Sequence, residues 1–185
     1  MSIFSNLEFN SLDDLFLNQL EDLYDAEKRL TKALPKMADA ASSPTLKQAF
    51  QTHLQETEGQ VQRLESIFRE LGHEPERETC QAMKGLIAEG EEMISATGEA
   101  HIKDAALIAA AQRVEHYEIS GYGTARTLAN RIGRADAASK LEETLHEEAA
   151  ADKKLTQIAE SETNMPTRAQ AGRQTRFDSK TSVSA

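Results

Sequence analysis

Apolar residues recur at helical spacing along almost the whole chain, with breaks only where Ser, Pro, Gly and Asn gather, and this single pattern leaves little room for strands. It divides the chain into four long helical stretches and one short one. The first spans about Leu12 to Ala40. Its stripe is Leu12, Leu15, Phe16, Leu20, Leu23, Leu30, Leu34 and Met37, and Pro35 is expected to bend or distort the last turns. Ser43 and Pro44 supply an N-cap and a first helical residue for the second stretch, which continues through Phe50, Leu64 and Ile67 to Leu71-Gly72. His73 to Thr79 reads as a loop and Cys80 to about Ala96 as a short connecting helix. The third and fourth long stretches cover about Ile102 to Ile132 and Ala135 to Glu160, each long enough to cross a bundle. Two long helices, a long connection holding a short one, then two more long helices is the chain plan of a four-helix bundle with one crossover.

Composition agrees with an all-α reading, since only 5% of residues are aromatic and Gly and Pro number 9 and 4 in 185 residues. That length suits one domain, expected over residues 1–160. From residue 161 to 185 the periodicity ends. Arg168, Arg173, Arg176 and Lys180 there outnumber Glu162 and Asp178, so this stretch reads as a flexible, basic, solvated tail. The chain as a whole carries a formal charge of −10, which repels phosphate backbones and argues against nucleic acid as a partner. A lone cysteine, Cys80, excludes an internal disulfide or a thiolate cluster and reads as a structural thiol in a reducing compartment. The longest apolar run, Ala105 to Ala111, falls far short of the ~18 residues of a membrane span, and the first residues do not read as a secretory leader. A cytoplasmic protein is expected.

Because each helical residue turns about 100° from its predecessor, polar residues can be placed relative to the apolar stripes. In the first helix Glu27 lies about 40° from Leu23, whereas Asp25 points to the opposite side. In the second, His53, Thr57 and Gln60 lie within about 40° of Leu64, with Glu56 nearer the edge and three residues from His53. In the third, Glu118 and Tyr122 fall within about 20° of Ala111 and Glu115 within about 40°. In the fourth, Glu148 and Asp152 sit about 20° from Leu141. The expected interior is therefore acidic, with one histidine and no buried Lys or Arg, and carboxylates buried in that number require bound cations or bound protons. A pair of divalent metals satisfies them most simply. The candidate ligands are Glu27, His53, Glu56, Glu115, Glu118 and Glu148, and a donor set of oxygens with a little imidazole suits Fe first, with Mn or Zn as alternatives. Gln60, Thr57, Tyr122 and Asp152 are candidates for orienting those ligands. Glu143-Thr-Leu-His146 has the Glu-x-x-His spacing of carboxylate-bridged di-iron helices, yet lies about 140° to 160° from the stripe and should face solvent. A rotation of the fourth helix would bring in Glu147 or this pair instead of Glu148.

The strings Leu23-Tyr-Asp-Ala-Glu27, His53-Leu-Gln-Glu-Thr-Glu-Gly-Gln60, Val114-Glu-His-Tyr-Glu-Ile-Ser-Gly-Tyr-Gly-Thr124 and Thr144-Leu-His-Glu-Glu148 resemble the YciE/YciF family of ferritin-like proteins. The resemblance covers about residues 8 to 160. It implies a ferritin-like bundle, often a homodimer, associated with bacterial stress responses and without a defined reaction. Unlike rubrerythrin-type relatives, the second helix reads His53-x-x-Glu56 rather than Glu-x-x-His, with Gly59 where the histidine is expected, which counts against a symmetric di-iron site. Two functions stay open. One is a metal-binding redox protein acting on a small oxidant such as peroxide or dioxygen, the other a non-catalytic dimeric stress protein or interaction module with a vestigial or structural metal site.

Overall fold

The structure, a computed structural model, describes residues 8–75 and 78–162. The proposed basic tail lies outside the described residues except for its first two positions, which continue the last helix. Every regular element described is an α-helix: α1 Leu12–Ala40, α2 Pro44–Leu71, α3 Gln81–Ser95, α4 Ala100–Arg131 and α5 Ala135–Glu162. Local chemistry sets several of these ends. Ser11 and Ser43 accept from the backbone N–H groups of Asp14 and Leu46, and Pro44 opens α2 where its missing N–H costs nothing. Gly72, at φ 77°, ends α2 in the left-handed conformation that glycine adopts without penalty. Helix α1 continues through Pro35 to Ala40.

The apolar side chains form two separate clusters, and their membership fixes the helix directions. One cluster takes the end of α1 (Leu34, Met37), the start of α2 (Leu46, Phe50), the start of α4 (Leu107, Ile108) and the end of α5 (Leu155, Ile158). The other takes the start of α1 (Phe16, Leu20), the end of α2 (Leu64, Ile67), the end of α4 (Ala125, Ala129) and the start of α5 (Ala137, Leu141). Helices α2 and α4 therefore run in the same direction, and the chain must travel the length of the bundle between them. The segment from Gly72 to Glu99 does this, packing α3 across α1 and α4. Within the bundle, α1 packs on α2 and α4, and α5 on α2 and α4.

Two buried acids hold the periphery to this frame. Asp104, near the start of α4, accepts from the backbone N–H groups of Ser42 and Ser43 at 2.8 Å each, tying the α1–α2 turn to α4. Asp25 accepts from the N–H of Cys80 at 2.9 Å and pairs with Arg29 at 2.5 Å, fixing the start of α3 on α1. Asp25 does point away from the bundle stripe, but it is not exposed there, because the crossover covers that face. Cys80 is buried, accepts from the N–H of Met83 and contacts the Tyr117 hydroxyl at 3.0 Å, which itself donates to Asp22.

Candidate metal centre

Between the two apolar clusters lies a polar layer at mid-bundle. Helix α1 contributes Glu27, α2 His53, Thr57 and Gln60, α4 Glu115 and Glu118, and α5 Glu148, all of them buried, with Tyr122 of α4 beside them. One donor atom from each of His53, Glu115, Glu118 and Glu148 lies within 4.8 Å of the other three. Donors on opposite sides of one ion, bonded at about 2.2 Å each, stand about 4.4 Å apart, so the cluster needs to close by only a few tenths of an ångström to share a cation.

The histidine is aimed. Its Nδ1 stands 3.2 Å from Glu56 Oε2, while Nε2 faces inward, 3.4 Å from Glu115 Oε2 and 3.6 Å from Glu148 Oε2. On the far side Tyr122 donates its hydroxyl proton to Glu27 Oε1 at 2.5 Å. Gln60 donates through Nε2 to Glu148 Oε1 and, at 3.1 Å, to Glu147 Oε2. Yet the layer is far from satisfied. Glu27 Oε2, His53 Nε2, Thr57 Oγ1, Gln60 Oε1, Glu115 Oε2, both oxygens of Glu118 and Glu148 Oε2 are buried without a hydrogen bond, and among the described residues such atoms occur only here. Buried polar atoms in native proteins are nearly always paired, so eight orphans around one point describe a ligand cradle.

Electrostatics gives the same account. Burial pushes the Glu27 and Glu148 carboxyls up to about 7, and pushes those of Glu115 and Glu118 well above the ordinary range. At Glu118 the neighbouring Glu27, Glu148 and Glu115 charges add to burial. Burial alone would lower the His53 imidazole, but Glu115, Glu56, Glu148 and Glu27 outweigh it and lift the group to about 10. Without a cation the layer can stay buried only by holding protons. The donor set fits a metal: carboxylates and one imidazole, without a thiolate, suit iron, manganese or zinc.

The candidate residues therefore divide. His53, Glu115, Glu118 and Glu148 converge, and Glu27 adjoins them through Glu118. Glu56 stays outside them with 38% of its side chain exposed, on an open groove of about 560 Å³ between α2 and α5, of mixed polar and apolar lining, that reaches His53. Glu143 and His146 face solvent, with side chains 65% and 74% exposed. Glu147 lies at the rim, where Arg63 contacts it at 2.9 Å and also contacts Thr144 and Glu143. Asp152 also sits at the rim, accepting from Gln112 at 2.9 Å with His116 3.4 Å away. Periodicity does not reveal Arg63, because its charged end reaches across to α5 from the edge of the α2 stripe.

A four-helix bundle with one long crossover is the ferritin-like fold. Solved structures agree: the fold matches ferritin-like, diiron-carboxylate proteins from Bacillus anthracis with a TM-score of 0.61 over 82% of this chain and 99% of that one, at 15% identity. The model of a domain of unknown function, DUF892, matches residues 11–168, and the chain belongs to this family, the one its helix motifs resemble. It is 48% identical over 159 residues to Protein YciF of Escherichia coli strain K12, covering 85% of this chain and 96% of that protein. The crystal structure of that E. coli stress protein superposes with a TM-score of 0.83. YcfI from Rhodopseudomonas palustris is 41% identical, with a TM-score of 0.79 over 83% of this chain and 98% of that one. Among the described residues no helix is long and apolar enough to cross a membrane.

Proposed function

We propose that the chain is a metal-binding ferritin-like protein that holds two divalent transition-metal ions, iron or manganese with zinc as a third candidate, in its mid-bundle layer. The observation that carries this reading is the set of unpartnered buried donors on all four long helices. Glu115, Glu118, Glu148 and His53 would hold one ion, and Glu27 with Glu118 would extend the site toward a second. Glu56 accepts from His53 Nδ1, so that once the ring gives up its second proton to a metal the Nε2 lone pair points inward, and Glu56 acts by orienting the imidazole. Tyr122 keeps its proton, because burial and the Glu27 and Glu118 carboxylates hold its hydroxyl well above the ordinary range. That proton lies on the path to Glu27 Oε1 and positions this carboxylate.

Iron or manganese held there would supply electrons to a small oxidant, peroxide or dioxygen. The apolar clusters above and below the layer shield the ligands along the bundle axis, and the α2–α5 groove at His53 is a side open to solvent. The proposed cellular role is a bacterial stress response, as stated of its E. coli relative, and the proposed working form is a homodimer in the cytoplasm. Elemental analysis of protein produced in iron- and manganese-supplemented medium, purified without tag or chelator, tests the core of this reading. About two Fe or Mn per chain are expected. A metal content near zero, in protein that also fails to take up Fe(II) anaerobically, would leave a non-catalytic acidic bundle.

A further inference from the structure

The crossover helix does more than connect. Beneath it, between α1, α3 and α4, lies a cavity of about 40 Å³. Its walls are mostly apolar, formed by Leu30, Leu34, Met37, Leu86, Ile87 and Val114, and its lining also includes His53 and Glu115, two residues of the candidate metal centre. A water needs about 10–15 Å³ of such space and two or more polar partners, so the cavity has the size of a diatomic or triatomic molecule and the walls of a dry one. Lys36 and Glu91, which also line it, form an exposed pair at 2.7 Å that bridges α1 and α3, and exposed pairs of this kind are weakly held.

Gly90 is the residue that marks this space as built. It is buried in the interior of α3, where glycine is about 1 kcal/mol worse than alanine. Packing does not require it: a Cβ placed on Gly90 would meet nothing within 4 Å. Gly121 shows the contrast, since a Cβ there would stand 2.8 Å from Leu23 Cδ2. What a side chain at Gly90 would do is occupy the cavity that Gly90 lines.

We propose that this cavity admits a small, neutral, apolar molecule, dioxygen by size and chemistry, to the His53–Glu115 edge of the centre, and that Gly90 keeps it open. A separate, wider groove of mixed lining reaches His53 from the other side, past Glu56 and Lys154 between α2 and α5. The purpose assigned to the cavity rests on the metal reading, but its test does not. Dissolved dioxygen, raised in steps of pressure over metal-free full-length protein, accelerates proton relaxation of the methyl groups it visits. With nitrogen as control, the buried methyls of Leu30, Leu34 and Val114 should relax severalfold faster than the equally buried ones of Leu20, Leu64 and Ile67 in the opposite apolar cluster. Gly90→Leu should reduce the first set to the level of the second, and Gly90→Ala, which also serves if the larger variant misfolds, should reduce it partway. Equal enhancement in both clusters, or enhancement that survives filling at Gly90, would overturn the proposal. A chain that binds no metal yet shows the methyl effect would remove the metal reading and leave the cavity as a gas-binding site.

Discussion

At the scale of single residues, the centre makes a sharp distinction between holding an ion and aiming the group that holds it. Glu115 presents an unpartnered buried oxygen to the cluster, whereas Glu56 is partly exposed and meets only the outer nitrogen of His53. Glu115→Gln keeps the volume but removes a charged donor, so metal per chain should fall by half or more in elemental analysis. Glu56→Gln should leave the stoichiometry unchanged and weaken affinity by about 10- to 100-fold, the usual cost of losing a group that orients a ligand. Competitive chelator titration with Co(II) distinguishes the two. If Glu56→Gln instead loses an ion, Glu56 is itself a ligand. Tyr122→Phe removes the hydroxyl that donates to Glu27 Oε1 and should destabilise the metal-free protein by about 1–3 kcal/mol in urea unfolding.

At the scale of elements, Asp104 is the strongest test of how the bundle is framed. Its two oxygens each accept a backbone N–H of the α1–α2 turn, and the residue is buried, so Asp104→Ala leaves two donors without partners. A loss of about 2–4 kcal/mol is expected, read as a lower urea midpoint with the slope unchanged. Asp104 and Asp25 also show where sequence periodicity stops. A 3.6-residue period finds the stripe that faces the bundle, and so it locates the five helices and the inward turn of Glu27, His53, Glu115, Glu118 and Glu148. It cannot find a second neighbour on the opposite face. Asp25 looks solvent-facing on the α1 wheel because nothing local announces that the loop and α3 will close over it, a contact between residues 55 apart in the chain. Arg63 escapes for a related reason, since its partners Thr144 and Glu147 lie on another helix and no repeat in α2 encodes them.

At the scale of the whole molecule, the polar layer separates two apolar clusters that could otherwise merge into one core, and the fold tolerates it only through protons or metal. This makes stability depend on pH in a direction that the metal should reverse. In the metal-free chain, burial raises Glu27 and Glu148 from about 4.5 to about 7, and the surrounding carboxylates raise His53 from 6.5 to about 10. Each folded-state value exceeds its unfolded one, so the folded chain binds more protons, and the stability each group contributes is complete below its unfolded value and lost as pH rises through its folded value. Thermal unfolding of metal-free protein should therefore shift to lower temperature from about pH 4.5 to 7 as the acids titrate, and further toward pH 10 as His53 does. Metal binding requires carboxylates without their protons and a neutral imidazole, so ions compete with protons for the same layer. Addition of Mn(II) or anaerobic Fe(II) should accordingly raise the unfolding temperature little near about pH 5 and most near about pH 8, with release of protons measurable in weakly buffered calorimetry. A metal-free chain whose stability climbs between about pH 5 and 8 would mean that these acids are ionised in the folded state without a cation, and neither protons nor metal would then be what keeps the layer buried.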